Sequence, residues 1–73
     1  MATDYTMAVY GYLRRLGQPG ETVLANVEKF LQDEFDIPDH QLIATRTRIS
    51  HDLQERGLIY KEKKRSRYVT LLK

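Results

Sequence analysis

Apolar residues recur at helical spacing three times along the chain, and the pattern then changes to short β-capable runs. Tyr5, Val9, Tyr12, Leu13 and Leu16 fall on one face of a 3.6-residue helix. Thr3 or Asp4 caps its start by accepting a backbone N–H, and the cluster Gly17-Gln18-Pro19-Gly20 stops it. Arg14 and Arg15 lie in its last turn, where positive charge complements unpaired carbonyls. A second amphipathic helix is predicted from Glu21 or Thr22, with Val23, Leu24, Val27, Phe30, Leu31 and Phe35 on its apolar side. It ends at Asp36-Ile37-Pro38-Asp39, because proline pushes the residue before it out of the α region, and Ile37 is expected in the core.

The third periodic segment runs from Asp39 or His40 to Arg56. It sets Leu42, Ile49 and Leu53 inward with small Ser50 beside them, and Ala44, Thr47, Arg48, His51 and Glu55 on the opposite side. Arg46 falls near the edge of the apolar stripe. That leaves a later start, at Ala44 or Thr45, open beside the earlier one, with residues 39–43 then forming an entry turn. Gly57 is a C-terminal stop. The runs 58–62 and 67–72 are both rich in strand-forming residues, and they flank a basic, glycine-free tip, so an antiparallel hairpin is predicted. The reading is α+β: three helices followed by a C-terminal β-hairpin. At 73 residues these elements make a single domain, 1–73, because so short a chain has apolar residues for one core only.

Charge changes the picture more than composition does. Residues 1–44 carry three bases and seven acids, net −4, whereas residues 45–73 carry nine bases and three acids, net +6. The overall +2 therefore conceals two electrically opposed halves, and the C-terminal one is suited to a polyanion. Thr45, Arg46, Thr47, Arg48 and His51 would offer hydrogen-bond donors from the third helix, as a helix entering a DNA major groove requires. The arginines suit guanine edges or phosphates, and the threonines suit backbone oxygens or a thymine methyl. Lys61, Lys63, Lys64, Arg65 and Arg67, with Ser66 at the tip, would track phosphates or place an arginine in a minor groove. Tyr60 and Tyr68 are expected to fix this hairpin against the body.

The order of three helices, Gly-Leu-Ile and a basic hairpin resembles a winged helix-turn-helix domain. The stretch from Arg48 through Ile59, RISHDLQERGLI, is similar to the end of the recognition helix in winged-helix regulators. There a leucine four residues before the glycine packs inward, and the Gly-Leu-Ile opens the first strand of the wing. The long second helix, the acidic proline-containing connection and the Arg46-x-Arg48 pair resemble the N-terminal winged-helix domain of modified-DNA-directed restriction endonucleases. The helix spacing is also similar to the globular domain of linker histones, although the sequence shows neither that family's lysine-rich tails nor its glycine-rich wing. The resemblance implies a double-stranded DNA-binding module, a small transcriptional regulator with its third helix in the major groove and its wing on the phosphate backbone.

A second expectation is a protein-docking winged helix. Asp33, Glu34, Asp36 and Asp39 form an acidic patch that would repel DNA and suit a basic protein partner. Met7 and Tyr10 fall off the apolar stripe of the first helix and are candidate contacts for a homodimer. RNA is a weaker reading still, for want of an aromatic platform for stacked bases.

Other classes lack their residues. His40 and His51 are eleven apart with no carboxylate at ligand spacing, there is no glycine-rich phosphate loop, and no nucleophile has a nearby base, so neither an enzyme nor a metal or cofactor site is expected. The absence of cysteine points to a reducing compartment, the cytoplasm or, in a eukaryote, the nucleus. No apolar run approaches the roughly twenty residues that span a bilayer, and no secretory signal pattern opens the sequence, so no membrane association is expected.

Overall fold

The computed structural model describes residues 4–63 and 65–73. Among them the elements follow in the order α1 (Tyr5–Leu16), β1 (Thr22–Leu24), α2 (Val27–Phe35), α3 (Asp39–Glu55), β2 (Ile59–Tyr60) and β3 (Tyr68–Leu71). The three strands form one antiparallel sheet with β3 in the centre, in the order β1-β3-β2. With α2, a three-residue connection and α3 as the helix-turn-helix, and β2 and β3 as the wing, this is an α+β winged helix-turn-helix layout.

Local chemistry accounts for the helix ends. Asp4 caps α1 by accepting the Met7 N–H at 3.1 Å; the alternative cap, Thr3, lies outside the described residues. Asn26 caps α2 by accepting the Lys29 N–H at 3.1 Å, and Asp36 closes it in the left-handed region at φ 52°. α3 takes the earlier of its two expected starts, directly after Pro38. It stops in a Schellman motif: Gly57 has φ +72°, its N–H reaches the Gln54 carbonyl, and the Leu58 N–H reaches Leu53, each at 3.0 Å. A side chain at Gly57 would have to adopt a conformation that glycine takes at no steric cost.

The second helix starts later than its pattern predicts. Thr22, Val23 and Leu24 form β1 and pair with Thr70, Val69 and Tyr68 of β3. Val23 faces the core, but Leu24 points out, because adjacent strand residues alternate sides. The Thr22 and Thr70 hydroxyls meet across the strands at 2.8 Å, a cross-strand pair of the kind that holds short ladders. The wing strands are shorter than the runs that predicted them, with Ile59 opposite Leu71 and Tyr60 opposite Thr70.

The buried side chains form one cluster between the helices and the inner side of the sheet. Leu13 of α1, Leu31 of α2, Ile49 and Leu53 of α3 and Leu71 of β3 are almost wholly enclosed in it. Ile37 is buried as expected, whereas Leu16, one turn beyond Leu13, stands exposed. Aromatic contacts join α1 to α2: Tyr12 stacks on Phe30 with centroids 4.6 Å apart, and Tyr5 meets Phe35 edge-on at 4.9 Å. The Tyr12 hydroxyl also accepts the Asn26 N–H at 3.2 Å, and Thr6 donates to Asp52 at 3.2 Å, fixing α1 on α3.

Gly17 lets α1 and β1 approach. A Cβ there would lie 2.6 Å from Val23 Cγ1, and valine is too stiff about χ1 to move aside cheaply. Gly17→Ala is therefore expected to cost about 1–3 kcal/mol. Gly11, exposed in the middle of α1 with nothing within 4 Å of its virtual Cβ, has the opposite sign: Gly11→Ala is expected to stabilise by roughly 0.5–1 kcal/mol. Thermal unfolding of the two variants checks both signs.

Candidate nucleic-acid interface

α3 presents to solvent the side that its periodicity assigns. Thr47, Arg48 and His51 are exposed along it, and the exposed Ile43 and Ala44 precede them. Not all of these donors are unengaged. The Thr47 hydroxyl donates to the Ile43 carbonyl one turn back at 2.8 Å, and His51 Nε2 sits 3.6 Å from Glu55. Thr45 is only half-exposed.

Arg46 is a correction. It was expected to reach DNA, but its side chain is only 15% exposed and its Nη1 donates to Glu28 Oε1 of α2 at 2.7 Å. The reason is its position at the edge of the apolar stripe, which turns the guanidinium toward α2 rather than outward. Lys61 is a second correction: it is buried at the root of the wing. Burial holds its ammonium below the ordinary lysine value, and the neighbouring Arg46 charge lowers it further. Alternation along β2 explains this, since Tyr60 faces outward and Lys61, like Ile59, turns toward the body.

Beyond Lys61 the wing opens to solvent. Lys63, Arg65 and Arg67 are exposed, and Lys64 lies outside the described residues. On either side of Lys64 and without a glycine, the Ser66 N–H donates to the Lys63 carbonyl, and the Ser66 hydroxyl accepts the Tyr68 N–H, both at 3.1 Å. Ser66 thus shapes the tip. Tyr60 and Tyr68 do not anchor the hairpin as expected, since both project from the outer side of the sheet. The anchor is β1, through its ladder to β3 and the Ala25 N–H bonded to the Arg67 carbonyl at 2.8 Å.

Between α3 and the root of the wing runs a groove of about 530 Å³, lined from the helix by Thr47, Ser50, His51 and Glu55 and from the wing by Lys61 and Glu62. The exposed wing residues Lys63, Arg65 and Arg67 follow this root in the chain but do not line the groove. The acidic residues Asp33, Glu34, Asp36 and Asp39 are exposed on α2 and at the α2–α3 connection, with Lys29 pairing to Asp33 at 3.8 Å. Tyr10, one of the two residues singled out for a dimer contact, donates its hydroxyl to the Lys73 carbonyl, to which Arg14 also donates at 3.3 Å. The other, Met7, is exposed and lies 3.4 Å from Arg56.

Sequence reasoning missed Ile43, the most exposed large apolar side chain among the described residues. Its signal was its place one turn before Thr47 on the outer side of α3. Among the described residues no three His, Asp or Glu side chains are grouped to hold a metal ion, and no helix is long and apolar enough to cross a membrane.

Topology and surface together describe an α+β protein of winged-helix-like layout with exposed cations on its wing. The chain matches no protein-family model, no curated protein and no solved structure.

Proposed function

We propose that the chain is a double-stranded DNA-binding module, a small transcriptional regulator that sets α3 in the major groove and lays its wing along the phosphate backbone. One observation carries this reading: Thr47 and His51 of α3 line one groove with the root of the wing at Lys61 and Glu62, while Arg48 is exposed on α3 and Lys63, Arg65 and Arg67 are exposed farther along the wing. A major groove admits one helix, and phosphates on its rim meet whatever stands beside that helix. Arg48 is the residue best suited to a guanine edge, and Ile43 is suited to a thymine methyl. Arg46 and Lys61, turned inward, act as structural support instead.

The test is an anisotropy titration of labelled random duplex and a selected-site library at several salt concentrations. Three exposed wing cations at phosphates predict that log affinity falls with log salt at a slope of about −3. Affinity that ignores salt, or none at low salt, contradicts the reading. A second reading, docking of a basic protein on α2, is favoured by the exposed carboxylates Asp33, Glu34 and Asp36. A partner lost on reversing those three charges, together with no duplex binding, would establish it in place of the first.

A further inference from the structure

The outer side of the sheet, turned away from the helices, belongs to no part of this interface. Register sets Thr22, Thr70 and Tyr60 side by side across the three strands, with Leu24 beside Tyr68 in the next row. Leu72 continues the same side just past β3, where its N–H bonds the Leu58 carbonyl at 3.0 Å. None of these side chains is charged, in a sequence where 30% of residues are. Four of the seven exposed large apolar residues among those described fall here: Leu24 at 60%, Tyr60 at 53%, Tyr68 at 61% and Leu72 at 49% exposure. The other three are scattered singly over α1 and α3, which is ordinary for a surface; four on one sheet side make a contiguous patch.

We propose that this face is the contact between two copies of the chain, packed sheet on sheet about a two-fold axis. Charge selects the occupant. Among these six side chains a polyanion would find no cation, and a strongly charged protein would find no counter-charge but Glu62 at the wing end. A second copy of a net-positive chain would meet like charge at the wing, but none among these six side chains. The geometry suits the same partner. Sheets stack about 10 Å apart with their strands within about 30°, and a trough of about 400 Å³ between Tyr60 and Tyr68, floored by the Thr22–Thr70 hydroxyl pair, can receive a side chain from the opposite copy. Glu62 is the one charged residue lining that trough, at its wing end.

Tyrosines of this size bring the face to on the order of 500 Å² per copy. The total, about 1,000 Å², lies at the lower limit for a specific interface, so the dimer is weak and concentration-dependent. Thr47, Arg48 and His51, being on α3, stay uncovered.

Sedimentation analysis without nucleic acid tests this independently of the DNA reading. From about 5 μM to about 1 mM the mass of the chain is expected to rise from one copy toward two, with a midpoint in the tens to hundreds of micromolar. Tyr68→Lys and Tyr68→Glu are each expected to weaken association at least tenfold, and an equimolar mixture of the two to recover it, since the opposed patches then carry complementary charge. Both side chains project into solvent, so thermal unfolding of the variants should match the parent. If either fails to fold, Leu24→Lys and Leu24→Glu replace the pair. A chain that stays monomeric at the highest concentration, or an association that survives every one of these variants, overturns the proposal.

Discussion

Replacing Lys63, Arg65 and Arg67 together by alanine is expected to lower duplex affinity several-hundred-fold at about 0.1 M salt and to flatten the salt dependence from a slope of about −3 to near zero. The size follows from counterion release. Each phosphate neutralised contributes about 0.9 to the slope, so three cations account for about 2.7 of it, and a slope change of that size accumulates to roughly 2.7 decades between 1 M and 0.1 M. The three residues are exposed on a loop whose shape rests on backbone and Ser66 hydrogen bonds, not on their own side chains, so the wing should survive the change. Sequence preference is the control. Phosphate contacts carry no base information, so the triple variant should keep the ranking of sites while losing affinity for all of them. Arg48→Ala should do the reverse, costing about 1–3 kcal/mol at one position of the preferred site. Loss of affinity with an unchanged slope would mean that the wing does not lie on phosphates.

How far the sequence disclosed this surface depended on which contacts were local. Helix ends were legible because their chemistry is contained in a few residues, as with Asp4 before Tyr5 and Gly57 after α3. Val23 and Leu24 were not, since two adjacent apolar residues satisfy helical and strand patterns equally over so short a run. What decides for the strand is β3, some 46 residues away, to which Val23 pairs through Val69. The alternative start was nonetheless written in the sequence, as Asn26 immediately ahead of Val27.

The wing cations and the outer side of α3 were readable from spacing, because solvent accepts charge wherever packing does not claim the position. Arg46 and Lys61 escaped for the opposite reason. Both were counted with the basic half, while the carboxylate that holds Arg46 belongs to the acidic half and to another helix. Charge asymmetry along a chain describes surface only to the extent that the two halves do not neutralise each other inside. The aromatic residues of the wing misled similarly: Tyr60 and Tyr68 look like anchors by composition, but the pleat sends both outward.

The inward turn of Arg46 leads to the second large expected effect. Glu28→Gln should destabilise the fold by about 2–3 kcal/mol, lowering the melting temperature by roughly 10–20 °C in a domain of this size. Removing the carboxylate leaves the Arg46 guanidinium, 15% exposed, near the partly buried Lys61 ammonium, whose protonated form is already disfavoured by desolvation and by Arg46 itself. The figure is set below that for a wholly buried pair because Glu28 keeps about a third of its surface in water. Arg46→Met should cost much less. It removes the charge that opposes Lys61, and it also removes Arg46 Nε, which is buried with no hydrogen-bond partner among the described residues, while the methionine stem retains most of the packing. In the double variant the loss from Glu28→Gln should largely disappear, a coupling that denaturant titration of the four proteins measures. Equal losses from the two single variants, simply adding in the double, would show that the pair is a surface contact of little energetic consequence. DNA affinity makes the same distinction from the other side: Arg46→Met should bind duplex within about twofold of the parent, because the Arg46 side chain, only 15% exposed and held on Glu28, is turned toward α2 rather than toward a base.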